Sequence, residues 1–340
     1  MKHIFYLHSN ICAIVAYSII ADLVKKGEQV VVVTERNTKI PPFEDKILLY
    51  DIQKTIDTYR KKDQSLLGHV INYKFDLLPQ LKKFAVEVIS GEDFLLYLPS
   101  CNMFTIMPFL KSSNCRGYYF IEEGTLSYLS EDKLKQRFYT SKYKKGLVLL
   151  DLLNMGISYE FIVTEKFLGC ISLSEMAFPW CPDEKKTIVD INESLSVFEY
   201  KNISTDVVIT TDYLRRQKEN YLDAFDFVIN KVMSENPSYK IHVKFHPTAY
   251  LYEETKMNEI IDYLKEKYGD IIKGFLLPSY LMEGLLCDNK VCLYSIFCQS
   301  SLLLYALVFG SKAFVVEKDN NDITINEIAN VNNFLEISNN

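Results

Sequence analysis

The chain has 340 residues, 48% of them hydrophobic and 24% charged, with a formal net charge of −6. That length exceeds what one core usually supports, so two α/β domains of about 150 residues each are expected. The apolar content excludes general disorder, and the acidic balance excludes nucleic acid as the main partner, because phosphate contacts call for a basic surface.

Eight cysteines, Cys12, Cys101, Cys115, Cys170, Cys181, Cys287, Cys292 and Cys298, are scattered without a CxxC pair. Most sit in apolar stretches, which suits buried thiols of a reducing cytosol better than disulfides. His242 and His246 are four apart, but no cysteine or acid accompanies them at ligand spacing and HExxH is absent, so no metal is expected. The opening Met1–Leu7 reads as a strand rather than a signal peptide. The apolar runs Gly146–Leu153 and Ser301–Gly310 fall far short of the ~20 residues that span a bilayer. A soluble, cytoplasmic protein is expected, with attachment to a membrane surface left open.

Ile4–Leu7 is an apolar strand followed by His8-Ser9-Asn10 and a helical pattern through Ile11, Val15, Ile19 and Leu23 that closes at Lys25-Lys26-Gly27. Val30–Val33 is a second strand, which makes a βαβ opening whose first loop lies at the ligand edge of the sheet. GxGxxG is absent, and with it the dinucleotide fingerprint. Pro41-Pro42 marks a loop, and Ile52–Val88 reads as largely helical. Phe94–Leu98 is a strand ended by Pro99-Ser100, a helix follows around Phe104–Leu110, and the strand Arg116–Ile121 runs into Glu122-Glu123-Gly124-Thr125.

The basic residues Lys133, Lys135, Arg137, Lys142, Lys144 and Lys145 read as a solvated helix face, with contact to an anionic lipid or acceptor as the other reading. Around Pro179–Lys186 the periodicity breaks, as on the approach to a domain junction, so domains of 1–195 and 196–340 are expected. Asp206–Ile209 restarts a strand, and a helix through Leu222, Phe225, Val228, Ile229 and Val232 follows. In Tyr239–His246 the apolar Ile241, Val243 and Phe245 alternate with polar residues, the period-two pattern of a strand that puts His242, Lys244 and His246 on one face. Pro247 cannot extend an internal ladder, so the strand ends there. A helix over Met257–Tyr268, the stretch Phe275–Pro278, a short helix holding Glu283, a strand Val291–Phe297, the loop Cys298–Ser301, a helix to Phe309 capped by Gly310 and a strand Ala313–Val316 complete the pattern. The Asn-rich tail from Asp319 reads as a surface element or a return helix without a motif.

Three candidate sites stand at strand ends: Glu122-Glu123-Gly124, His246-Pro247 and Ser300-Ser301. Adjacent side chains on extended backbone point to opposite faces, so only one of the two glutamates projects into a given cleft, and Gly124 permits the turn that presents it. Such a carboxylate removes a proton from a hydroxyl if burial or its like-charged neighbour raises its pKa. The plain alternative is a solvated acidic turn. Ser300 and Ser301, between a strand and a helix, offer hydroxyls and free N–H groups to an anion or simply cap the helix. Lys244 adds positive potential, and His246 either meets the anion or caps a carbonyl. GxSxG and the Walker A pattern are missing.

The ordered set Glu122-Glu123-Gly124, His246-Pro247 and Ser300-Ser301 resembles the bacterial sialyltransferases, most closely the lipooligosaccharide sialyltransferase family, glycosyltransferase family 52. The resemblance implies a GT-B fold, two Rossmann-like domains with parallel sheets facing a central cleft, the acceptor mainly on the first and CMP-sialic acid mainly on the second. It implies an inverting, metal-independent transfer of sialic acid to a hydroxyl of a cell-surface glycan such as lipooligosaccharide or capsule. Glu123 would be the general base, His246 would hydrogen-bond or protonate the departing phosphate, Ser300 and Ser301 would bind it, and Glu283 would hold the ribose hydroxyls. Relatives dimerise, so a homodimer is an open expectation. No DxD motif occurs, which fits a reaction without metal. Both acidic positions are glutamate where relatives often carry aspartate second, so Glu123 reaches one methylene further. The same family includes glucosyltransferases, so another donor such as UDP-glucose is the alternative, and a non-catalytic glycan-binding protein is the third.

Overall fold

The computed structural model describes residues 1–35, 38, 47–60, 68, 71–99, 105–134, 164–195, 203–211, 221–246, 249–250, 253–277, 280–288, 291–296, 301–317 and 334–336. The chain divides into two compact units, Met1–Phe198 and Glu199–Asn340.

The first unit carries a seven-stranded, wholly parallel sheet of β1 (Lys2–Leu7), β2 (Gln29–Thr34), β3 (Ile47–Asp51), β4 (Phe94–Leu98), β5 (Cys115–Ile121), β6 (Phe167–Ser172) and β7 (Lys186–Ile188). Their order is β3-β2-β1-β4-β5-β6-β7. The central strands are nearly continuous apolar runs because helices cover parallel sheets on both faces, and every residue of β1 is buried. Helices among the described residues include α1 (Asn10–Lys25), α2 (Gln53–Arg60), α3 (Leu78–Ile89), α4 (Met107–Leu110) and α5 (Ile191–Leu195). Ser9 caps α1, its Oγ accepting from Cys12 N at 3.4 Å, and Gly27 at φ 72 follows the helix. A π-helical turn over Tyr73–Leu77 leads into α3.

The second unit repeats the plan. Strands β8 (Val207–Thr211), β9 (Ile241–Lys244), β10 (Ile272–Phe275), β11 (Cys292–Ile296), β12 (Lys312–Glu317) and β13 (Phe334–Glu336) form a parallel sheet in the order β10-β9-β8-β11-β12-β13. Helices among its described residues include α6 (Tyr221–Glu235), α7 (Glu254–Tyr268), α8 (Met282–Asp288) and α9 (Ser301–Val308). One face is apolar: Val207, Ile209, Ile241, Val243, Phe245, Tyr294 and Ile296 pack against Phe225, Val228 and Ile229 of α6 and Ile260 and Leu264 of α7. Gly310 at φ 77 ends α9.

Both sheets contain the order 3-2-1-4-5-6 in their own strand numbering, with a seventh strand added at the end of the first; this is the doubly wound order whose ligand edge lies at the carboxyl ends where the winding reverses. That reversal falls between β1 and β4 in the first unit and between β8 and β11 in the second. The architecture is thereby duplicated without a repeat in the sequence.

Several expectations change. The boundary expected after residue 195 falls after Phe198, and the break at Pro179–Lys186 ahead of it packs within the first unit: Trp180 lies among Phe120, Phe167 and Phe178 with ring centroids 5.6 to 5.9 Å away, and β7 follows. The tail supplies β13, paired in parallel with β12, where a surface element or return helix was expected. Strand β9 stops at Lys244 and lies inside the sheet between β8 and β10, and all four of its residues are buried. Its alternation therefore separates two buried faces rather than core from water. The six described cysteines are free thiols, four of them buried; Cys101 and Cys298 lie outside the described residues, as do Pro41-Pro42, the run 146–153 and the basic cluster beyond Lys133. Among the described residues no helix is long and apolar enough to cross a membrane.

Candidate functional site

In the first unit the carboxyl ends of β1 and β5 bring His8 and Glu123 together. Neither lies in a helix or strand. His8 leaves β1 immediately before the Ser9 cap, and Glu123 stands two residues beyond β5, so the crossover order of the sheet makes neighbours of residues distant in sequence. His8 Nε2 lies 3.1 Å from Glu123 Oε2, and both side chains are more than nine-tenths buried. On the other side of the ring, Nδ1 lies 3.5 Å from Cys12 Sγ, and Ser9 Oγ donates to that sulfur at 3.1 Å. Burial alone would depress the imidazole pKa, but the Cys12 sulfur and the Glu123 carboxylate outweigh it and push the ring up to about 10. An opposite charge at this distance favours the protonated form.

The turn that presents Glu123 is fixed. Its N–H donates to Ser127 Oγ at 2.9 Å, Ser127 N–H donates to Gly124 O at 3.0 Å, and Gly124 sits at φ 118, ψ −146, a conformation essentially confined to glycine. Glu122 points inward. It is fully buried, Oε1 accepting from Tyr128 Oη at 2.8 Å and Oε2 from Leu173 N–H at 2.7 Å. Burial and the Glu122 charge together push the Tyr128 phenol far up, which keeps it a donor. Glu122 thus ties the β5 and β6 loops together, and the two adjacent glutamates serve opposite faces. A third buried acid, Glu35 after β2, accepts from Tyr6 Oη at 2.7 Å.

In the second unit, His242 and Lys244 share the sheet face opposite the apolar core, and Lys244 pairs with Thr210 in register. Lys244 is buried, and its Nζ donates to Leu277 O at 2.8 Å and Tyr280 O at 3.4 Å. These bonds hold the β10–α8 connection over the end of β9. Burial lowers its pKa to about 8 against the opposing pull of Glu283. Burial likewise raises the Glu283 carboxyl, with Lys244 pulling the other way. His242 is pushed down by burial, and its Nδ1 has no hydrogen-bond partner among the described residues.

His246 stands half-buried two residues beyond β9, its carbonyl accepting from Ala249 N–H at 2.9 Å. Ser301 opens α9, half-buried, directly after the loop from β11. Pro247 and Ser300 lie outside the described residues. The structure therefore places Glu123 and Gly124 on one turn of the first unit, and Lys244, Glu283, His246 and Ser301 at the carboxyl edge of the second. Among the described residues no group of three His, Cys, Asp or Glu could hold a metal ion.

His8 and Cys12 escape a sequence reading that looks for motifs. The usable signal is placement: His8 ends the first strand, and Cys12 falls in the first turn of the helix behind a serine cap.

No family model and no curated protein matches the sequence. Among solved structures, the UDP-GlcNAc 2-epimerase from Methanocaldococcus jannaschii in complex with UDP-GlcNAc and UDP superposes with a TM-score of 0.52 at 12% identity, covering 99% of this chain and 89% of that one. A second structure of that epimerase gives 0.51 at 13% identity over 100% and 89%. The E. coli heptosyltransferase WaaC with ADP-2-deoxy-2-fluoro heptose is less similar, with a TM-score of 0.47 at 10% identity over 100% and 94%. The fold is GT-B. At such identities the likeness establishes the GT-B fold and leaves the chemistry to be argued from this chain's own residues. None of these three is a sialyltransferase.

Proposed function

We propose that the chain is a nucleotide-sugar-dependent glycosyltransferase of the GT-B type, in which the first unit accepts a proton and the second engages the nucleotide. The observation that carries this reading is Glu123, placed at the ligand edge of a doubly wound sheet on a glycine-dependent turn and held by His8. A transferase must take the proton of an acceptor hydroxyl as the bond to the anomeric carbon forms and the bond to the departing phosphate breaks. Glu123 suits the first task. His246 and Ser301 suit the second, since each stands at the carboxyl edge of the second sheet, where His246 can give a hydrogen bond to the leaving phosphate and Ser301 can add its hydroxyl. Lys244 supports them from beneath by fixing the loop at Leu277 and Tyr280. Inversion at the anomeric carbon is part of this reading, as the resemblance carried by Glu122-Glu123-Gly124, His246-Pro247 and Ser300-Ser301 implies.

A uridine diphosphate sugar is the favoured donor, since two structures that superpose with a TM-score above 0.5 are of a UDP-GlcNAc 2-epimerase. CMP-sialic acid is the second reading, favoured by the ordered set Glu122-Glu123-Gly124, His246-Pro247 and Ser300-Ser301. Thermal unfolding of the full chain with UDP, CMP and GDP separates them, because a ligand at 100 times its Kd adds about 2.7 kcal/mol to stability. The account predicts a rise with UDP above that with CMP or GDP. A rise with CMP alone would move the donor to CMP-sialic acid, and no rise with any nucleotide would overturn the reading. A matching screen of UDP-glucose, UDP-GlcNAc and CMP-sialic acid against galactose-, N-acetylgalactosamine- and sialic-acid-terminated acceptors reads out transfer directly.

A further inference from the structure

In a two-residue proton acceptor the imidazole commonly faces the substrate, with the carboxylate behind it. Here the order is reversed. Both ring nitrogens of His8 are engaged inside the unit, Nε2 by Glu123 Oε2 at 3.1 Å and Nδ1 by Cys12 Sγ at 3.5 Å, so the ring has no nitrogen left for a substrate. Cys12 is wholly buried in the first turn of α1, where its sulfur is itself held by Ser9 Oγ at 3.1 Å. We propose that His8 is a positioning residue, locked by Cys12, that fixes Oε2 of Glu123 and leaves Oε1 as the oxygen that meets the acceptor hydroxyl.

This inference rests on the reading of Glu123 as the proton acceptor, and it assigns a role to two residues that no motif marks. In the step itself, the hydroxyl proton passes to Oε1 while the acceptor oxygen forms its bond to the anomeric carbon. His8 keeps its Nε2 proton on Oε2 throughout. The titratable groups that face the ring are Cys12 from α1 and Glu123 from the turn after β5. The elevated proton affinity of the ring agrees with this geometry.

The test is the ring titration of His8 in the full chain by nitrogen-15 NMR, assigned among the five histidines by loss of its signal in His8→Gln. Wild-type His8 should stay doubly protonated through pH 8. Its midpoint should fall by about one pH unit or more, a tenfold change in proton affinity, in Cys12→Ala and in Glu123→Gln. Cys12→Ser, which keeps a donor and acceptor at the same place, should restore most of the shift. A wild-type midpoint near 6.5, or a midpoint that ignores both substitutions, overturns the proposal. In the transfer assay, His8→Gln should lower kcat at unchanged KM for the nucleotide sugar; an unchanged kcat would refute the positioning role. Should His8→Gln fail to fold, the Cys12 variants carry both readouts. A positive ring titration in a chain that transfers no sugar would sink the functional reading and not the locked ring, so the two failures are distinguishable.

Discussion

The two units share a strand order yet place opposite chemistry at the carboxyl edges of their sheets. At the first edge an imidazole lies between a sulfur and a carboxylate, and its proton is held far above the ordinary range, to about 10. At the second edge a lysine lies under a loop, bonded to two neutral carbonyls, and its proton is held weakly, to about 8. Both groups are buried, so burial does not decide the outcome. The neighbours decide: a carboxylate 3.1 Å from His8 overrides desolvation, whereas carbonyl dipoles and a Glu283 carboxyl that is itself pushed towards neutrality do not. A common topology fixes where a site can form, and the side chains at its edge fix what the site does.

The contrast can be broken most strongly at Lys244. Replacing it with methionine leaves Leu277 O, Tyr280 O and Glu283 without their cation, and loss of one buried partner typically costs about 3–5 kcal/mol. The expected readout is a matching drop in amide-exchange protection across β8, β9 and β11; unchanged protection would show that the lysine does not hold the loop.

A pH series sharpens the same contrast. His8 keeps its proton to about pH 10 in the fold against 6.5 for an ordinary histidine. Its contribution is therefore full below pH 6.5 and is lost as pH rises through 10. Lys244 behaves oppositely: its depressed folded value of about 8 against 10.5 means a cost below pH 8 that fades between 8 and 10.5. Between pH 8 and 10 the first unit should lose, and the second gain, stability on the order of 2 kcal/mol each, at about 1.4 kcal/mol per pH unit for one proton. Trp180, the single tryptophan, lies in the first unit and reports its urea midpoint by fluorescence, while intrinsic-rate-corrected exchange of β9 amides reports the second. Parallel slopes in the two units would contradict the assignment.

The smallest expected effect is at the turn. Gly124→Ala forces a side chain into φ 118, ψ −146, at a cost of about 1–3 kcal/mol. Because the same turn aims Glu123, transfer should fall along with the melting temperature. Full activity in a stable Gly124→Ala protein would show that the turn does not position the acid.

The fold class was legible because buried parallel strands leave continuous apolar runs: β1, β2, β4, β5 and β8 each show one. Strand β3 has no such signal, since Leu48 and Leu49 are exposed at the sheet edge and follow neither period. Strand β6 is interrupted by Gly169, whose missing side chain lets Lys185 O approach, and β13 is a three-residue pairing in a polar tail. At the site, Glu123 could be read from a glycine that licenses a turn after a strand, whereas the inward role of Glu122 depends on Tyr128 and Leu173 N–H across the loops. The His8–Cys12–Glu123 contacts were illegible for a simpler reason: strand order, not spacing, makes them neighbours.

The most direct test compares Glu123→Gln with His246→Ala, each scored for sugar transfer and for stabilisation by nucleotide. The account predicts that Glu123→Gln loses about 10²–10⁴-fold in turnover while keeping the wild-type nucleotide-induced rise in melting temperature, and that His246→Ala loses that rise. Wild-type turnover in Glu123→Gln, or an undiminished nucleotide response in His246→Ala, would contradict the division of labour between the two units.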